Sequence, residues 1–135
     1  MNFNNKTQFN SLPDAFLFDT DNTLYHYDVA HKAAQNAVRE KVVNTFTISR
    51  NDFDKAFYEA RAQVKERLKN TASSHNRLLY LQRMLEIIGL GSQVLLALDF
   101  EQTYWRTFLS NAVLFDGVKE LLDDIRLIGI PTAIV

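Results

Sequence analysis

The sequence contains no cysteine, only two prolines and only four glycines in 135 residues. Without cysteine, disulfide frameworks, cysteine-based zinc sites and thiol catalysis are excluded. The low glycine and proline content, with 47% apolar and 23% charged residues, excludes collagen-like, low-complexity and fully disordered chains. These values are typical of one globular domain, or of a small core domain that carries an insertion.

The chain also lacks a large excess of either charge and lacks long apolar runs. Its net charge is -1 and its pI is near 6.3, which gives no electrostatic case for nucleic-acid binding. Clean apolar runs are short, such as Val94–Leu98, whereas a bilayer span needs about 20 residues. The first ten residues are polar and rich in asparagine, unlike a secretory signal. We therefore expect no nucleic-acid partner, no membrane partner and a cytoplasmic location.

The hydrophobic pattern predicts a strand, five helices and a second strand. Apolar residues 15–18 run into a polar turn, which predicts a buried strand of the parallel-sheet kind. Residues 130–135 predict the second strand, and the polar stretch 70–76 predicts a loop. The first three predicted helices are Tyr27–Phe46, a helix that begins at Ser49, and Leu78–Ile88. The fourth is capped by Ser92 and runs to about Leu109, and the fifth runs from Gly117 to about Leu127.

The second predicted strand is still apolar at Val135, with no turn signal after it. Two parallel strands alone do not form a stable sheet. We therefore expect the chain to be a fragment of a longer protein whose remaining strands complete the sheet.

Two carboxylates, Asp19 and Asp21, follow the first predicted strand. The period of two along a strand would place both on one side. Carboxylates held that close repel each other and favour a divalent cation or a shared proton. Oxygen ligands of this kind suit Mg²⁺, and the carboxyl end of a parallel strand is where α/β folds bind ligands.

The segment Asp19–Thr23 also has other interpretations. A capped turn explains its composition without any chemistry, since Asp, Asn and Thr favour turns. A calcium loop beginning at Asp19 would need glycine at position 24 and glutamate at position 30, where the chain has Leu24 and Ala30. An aspartic protease needs Asp-Thr-Gly, and Asp21 stands where the glycine would be. A nucleotide-sugar transferase normally needs a nucleotide-binding unit upstream, and only 18 residues precede Asp19.

Residues 16–24 (FLFDTDNTL) resemble the first motif of the haloacid dehalogenase superfamily, an apolar strand followed by Asp-x-Asp-x-Thr. Residues 114–122 (LFDGVKELL) look like the segment where such proteins return from the cap to the core, and residues 129–135 (GIPTAIV) look like the approach to the second motif. The resemblance implies an α/β fold: a partial Rossmann-like core at 1–26 and 112–135, with an inserted α-helical bundle cap at 27–111.

The resemblance also implies roles for three residues. Asp19 would be the nucleophile that forms an aspartyl-phosphate, and Asp21 the general acid and then the general base. Mg²⁺ would bind the Asp19 carboxylate and the backbone carbonyl of Asp21. Thr23 would steady the turn through its hydroxyl. The neighbouring Tyr25, His26 and Tyr27 are either packing residues or substrate contacts.

Members of the superfamily that cleave carbon–halogen bonds generally lack the second aspartate, since they have no alkoxide leaving group to protonate, so the resemblance implies through Asp21 a preference for phosphate esters. The expected function is Mg²⁺-dependent hydrolysis of a small phosphorylated metabolite, a nucleotide or a sugar phosphate. A phosphomutase of the same family, a non-catalytic binding module and a helical interaction domain are the alternatives, and oligomeric state is left open. The family's later Ser or Thr, Lys and acidic pair would lie beyond residue 135, so the fragment alone is expected to be inactive.

Overall fold

A computed structural model describes residues 11–135, which form two short strands, five α-helices and one 3-10 helix. The order along the chain is β1 (Phe16–Phe18), α1 (Tyr27–Phe46), α2 (Arg50–Leu68), the 3-10 helix (Ala72–His75), α3 (Arg77–Ile87), α4 (Val94–Asn111), α5 (Val118–Leu127) and β2 (Thr132–Ile134). This part of the chain is mostly helical, with a small parallel sheet, and is compatible with an α/β fold. None of its helices is both long and apolar enough to cross a membrane.

The contacts divide the chain into two units, which we call the strand unit and the helical unit. The strand unit contains the described residues up to Ala30 together with Ala112–Val135, and the helical unit is His31–Asn111. The assignment of residues 1–26 and 112–135 to a core, and of 27–111 to a cap, stays a prediction.

The strand unit contains a two-stranded parallel sheet. Phe16 lies opposite Thr132 and Phe18 opposite Ile134, and the backbone N–H of Val135 donates to the Phe18 carbonyl at 3.0 Å. The predicted parallel pairing is confirmed, but the predicted burial is wrong: Leu17 is 68% exposed and every residue of β2 is exposed. Phe16 and Phe18, on the opposite face of β1 from Leu17, are half-buried, whereas an apolar strand is fully buried only where other layers cover both of its faces.

The helical unit has its own apolar core. The side chains of α2 pack on α3, and those of α3 pack on α4. Ion pairs connect α1 to its neighbours, from Arg39 to Asp54 of α2 at 3.1 Å and from Lys41 to Asp99 of α4 at 2.7 Å. Buried apolar residues recur three and four positions apart along each helix, as expected for amphipathic helices. They include Ala34, Val38, Val42, Phe53, Ala56, Ala60, Tyr80, Leu81, Met84, Leu85, Ala97, Phe100, Tyr104 and Phe108.

The helix ends follow local chemistry, with two departures from the sequence prediction. Helix α3 ends as predicted at a glycine: Gly89 has φ 87°, and the N–H of Leu90 donates to the Leu85 carbonyl at 3.0 Å. Ser92, however, does not begin α4. The first carbonyl bonded within that helix belongs to Gln93, which accepts from the N–H of Ala97 at 3.0 Å, and α4 runs on to Asn111. The predicted loop at 70–76 contains the 3-10 helix.

The Ser49 cap at the start of α2 gives a testable prediction. The Ser49 hydroxyl oxygen accepts a hydrogen bond from the Asp52 backbone N–H at 3.1 Å, and the hydroxyl donates to the Asp52 carboxylate at 2.7 Å. Ser49→Ala removes both bonds, so we expect the free energy of unfolding to fall by about 1 kcal/mol. Urea unfolding followed by circular dichroism measures this loss. Ser49→Thr keeps the hydroxyl and is the control; equal losses for Ala and Thr would contradict the cap.

Candidate active site

The candidate site is built on the turn that follows β1. The Thr20 carbonyl accepts from the backbone N–H of Thr23 at 3.2 Å and from that of Leu24 at 2.9 Å. Asn22 has a positive φ of 56°, a conformation that asparagine tolerates better than most residues. Its side-chain oxygen accepts from the Tyr27 backbone N–H at 3.1 Å, at the start of α1. The capped-turn interpretation therefore describes this local geometry well.

The chain leaves the turn as an extended segment paired with the residues after α4. The backbone N–H of Phe115 donates to the Leu24 carbonyl at 3.0 Å, and that of His26 donates to the Val113 carbonyl at 3.1 Å. An antiparallel bridge joins Tyr25 to Leu114 between these two hydrogen bonds. Residues 24–26 are therefore held on both sides by main-chain bonds to residues 113–115.

Asp19 is the first exposed residue after β1. One of its carboxylate oxygens, Oδ2, accepts a hydrogen bond from the Thr23 hydroxyl at 3.0 Å. Among residues 11–135, the structure shows no hydrogen bond to the other oxygen, Oδ1. One oxygen of Asp19 is thus oriented by Thr23, while no donor among residues 11–135 occupies the other.

Asp21 is also exposed, and its partner is Tyr25, four residues further on. The Tyr25 hydroxyl donates to Asp21 Oδ1, and a backbone bridge joins the same two residues. The pKa of the Tyr25 phenol is raised, first by burial and then by the hydrogen bond and charge of Asp21. A raised pKa keeps the phenol protonated near neutral pH, so it remains a hydrogen-bond donor.

The prediction that Asp19 and Asp21 lie on one side of a strand is wrong, because neither residue belongs to the strand. Strand β1 ends at Phe18, so both aspartates lie beyond it, Asp19 just before the turn and Asp21 within it, where the period of two along a strand does not apply. The structure instead gives each carboxylate a different side-chain donor. The Tyr25 contact with Asp21 was not predicted, because the position of Tyr25 depends on its pairing with the distant residue Leu114.

The oxygen atoms of Asp19 and Asp21 fit part of the ligand set of a magnesium site. Asp19 supplies a carboxylate oxygen to which the described residues donate no hydrogen bond, and Asp21 supplies its backbone carbonyl oxygen. No group of three or more His, Asp or Glu side chains within residues 11–135 could hold a metal ion. A hexacoordinate cation here would need further ligands from water, from a phosphate or from residues outside this segment.

His26, the other candidate beside the motif, packs its ring on Phe115. The ring centroids are 4.0 Å apart and the planes are inclined by 65°. This edge contact and the backbone bond to Val113 give His26 a packing role in the strand unit. Tyr27, by contrast, is the first residue of α1.

The chain is similar to a known phosphatase. It is 32% identical over 121 residues to a ribulose-1,5-bisphosphate 5-phosphatase of Halopiger xanaduensis. The match takes in 89% of this chain and 51% of the relative, so the chain spans about half the length of the curated relative it matches. A match of that extent necessarily includes the turn at Asp19–Thr23. No protein-family model matches the chain.

Proposed function

We propose that the chain is the aspartate-bearing part of a phosphatase that acts on a phosphorylated sugar. The similarity to a phosphatase over 89% of the chain carries this proposal. The name of that relative supports a sugar phosphate as the substrate class, ahead of the nucleotide phosphates that the sequence left open. The resemblance of residues 16–24 to the haloacid dehalogenase motif supports the mechanism.

In the proposed mechanism, a carboxylate oxygen of Asp19 attacks phosphorus and the ester P–O bond breaks. Asp21 gives its proton to the departing sugar oxygen, which leaves as an alcohol. Water then attacks the aspartyl-phosphate, Asp21 takes the proton of that water, and inorganic phosphate is released. Thr23 keeps the Asp19 side chain in one orientation through its 3.0 Å hydrogen bond.

Mg²⁺ is the proposed cofactor, held by the Asp19 carboxylate and the backbone carbonyl of Asp21 with ligands from outside the described residues. When bound, it would offset negative charge on the phosphoryl oxygens and favour in-line attack. The exposure of both aspartates supports this role, since neither carboxylate is closed off by packing.

The test is phosphate release by the full-length product of the gene. Ribulose 1,5-bisphosphate, ribose 5-phosphate and AMP are compared as substrates, with Mg²⁺ and after removal of metal by EDTA. We expect turnover of the sugar phosphates in preference to AMP, and a loss of roughly 100-fold or more on EDTA treatment. Added Mg²⁺ should restore the rate. Turnover that is indifferent to EDTA would contradict the metal role, and absence of turnover with every ester would contradict the phosphatase.

A further inference from the structure

We propose that Tyr25 is the positioning residue for Asp21, holding one carboxylate oxygen of Asp21 by a hydrogen bond so that the other carries the proton. The inference rests on the proposed function, because it assigns a supporting group to the proposed acid and base. Tyr25 is not itself a catalytic residue, since nothing requires it to touch the phosphate ester.

Main-chain pairing on both sides of Tyr25 fixes the backbone from which its phenol reaches Asp21. Tyr25 is joined to Asp21 on one side and to Leu114 on the other by backbone bridges. The flanking residues Leu24 and His26 are bonded to Phe115 and Val113 at 3.0 and 3.1 Å. The tyrosine ring is half-buried rather than extended into solvent. Because this backbone is already fixed, the contact with the exposed Asp21 carboxylate orders only the two side chains.

The hydrogen bond from Tyr25 makes the two carboxylate oxygens of Asp21 different from each other. Oδ1 accepts from the Tyr25 hydroxyl, and Oδ2 accepts from no donor within residues 11–135. Oδ2 is therefore the oxygen assigned to proton transfer, first to the departing sugar oxygen and then from the attacking water. The tyrosine keeps its own proton throughout. It therefore orients Asp21 without giving or taking a proton in the reaction.

The consequence is a dependence on the leaving group. A sugar alkoxide is a poor leaving group and needs the proton of Asp21, whereas 4-nitrophenolate is a stable anion and leaves without one. The constant kcat/KM reports the steps up to phosphoryl transfer and excludes the later hydrolysis, which is common to both substrates. A residue that only orients the acid should therefore affect kcat/KM for the sugar phosphate and spare that for the nitrophenyl ester.

The experiment compares Tyr25→Phe with wild type in the full-length protein, using ribulose 1,5-bisphosphate and 4-nitrophenyl phosphate. General-acid catalysis is worth about 100-fold to 10,000-fold, and we expect loss of its orientation to lower kcat/KM for the sugar phosphate about tenfold or more. The value for the nitrophenyl ester should change less than about threefold. Tyr58→Phe is the matched control, because Tyr58 lies on α2 and is 55% exposed.

A double-mutant comparison separates this inference from the proposed function. Asp21→Asn alone should show the same selectivity with a larger loss, and adding Tyr25→Phe to it should cost almost nothing more. Equal losses on both esters, no loss, or a further loss in the Asp21→Asn background would overturn the role of Tyr25. If Asp21→Asn shows no selectivity between the esters, the acid role of Asp21 fails, and the role of Tyr25 fails with it. Circular dichroism of each variant gives the folded fraction, and kcat/KM is compared per folded protein, so that a loss of stability is not counted as a loss of orientation.

Discussion

Replacing Asp19 by Asn should lower phosphatase turnover by about four orders of magnitude or more. The carboxamide has no anionic oxygen to attack phosphorus, so the aspartyl-phosphate cannot form. The substitution changes little else, because the side chain is exposed and an amide oxygen can still accept the 3.0 Å hydrogen bond from Thr23. The loss therefore measures chemistry and not folding.

Two measurements on the full-length protein test this prediction. Steady-state phosphate release gives the loss of rate, and acid-quenched protein examined by mass spectrometry shows whether one phosphoryl group is attached to wild type and absent from Asp19→Asn. Asp14→Asn is the control, since Asp14 is an exposed aspartate just before β1. It should leave both readings unchanged. A phosphoryl group on any residue other than Asp19, or substantial activity in Asp19→Asn, would rule out this nucleophile.

Local pattern was enough to predict the helices, because their boundaries depend on residues close in sequence. Both limits of α1, Tyr27 and Phe46, agree with the helix predicted from the sequence. The Ser49 cap was predicted from Asp52 three residues on, although the second bond runs between hydroxyl and carboxylate and not back to the backbone. The start of α4 was missed because the pattern cannot distinguish capping at Ser92 from capping one residue later.

Properties that depend on distant residues were predicted less well. The parallel pairing of β1 with β2 was predicted correctly, but an apolar run does not reveal whether a covering layer lies on it, and Leu17 is exposed. At the site, Asp19, Asp21 and Thr23 are neighbours along the chain, so their common turn was accessible. The hydrogen bond from Tyr25 depends on the pairing of that residue with Leu114, which no local pattern reveals.

The stability of the helical unit depends on a few large side chains, of which Phe100 is a clear case. Phe100 is 1% exposed on α4, and its ring meets that of Phe46 at a centroid distance of 6.1 Å and an angle of 87°. The ammonium group of Lys41 lies 5.8 Å from the same ring centroid. Phe100→Ala should lower the free energy of unfolding by about 3–5 kcal/mol, through lost burial and the cavity left between α1 and α4.

The matched control is Leu95→Ala on the same helix, where the leucine is 82% exposed. Both variants place alanine in α4, so their difference isolates burial from helix propensity, which differs by only a few tenths of a kcal/mol between leucine and phenylalanine. We expect Leu95→Ala to change stability by less than about 0.5 kcal/mol. Urea unfolding measures the free energy of unfolding of both variants, provided that its dependence on urea concentration has the same slope in each. A loss below about 1 kcal/mol for Phe100→Ala would show that this ring is not packed as described, because a cavity of that size cannot form at so little cost.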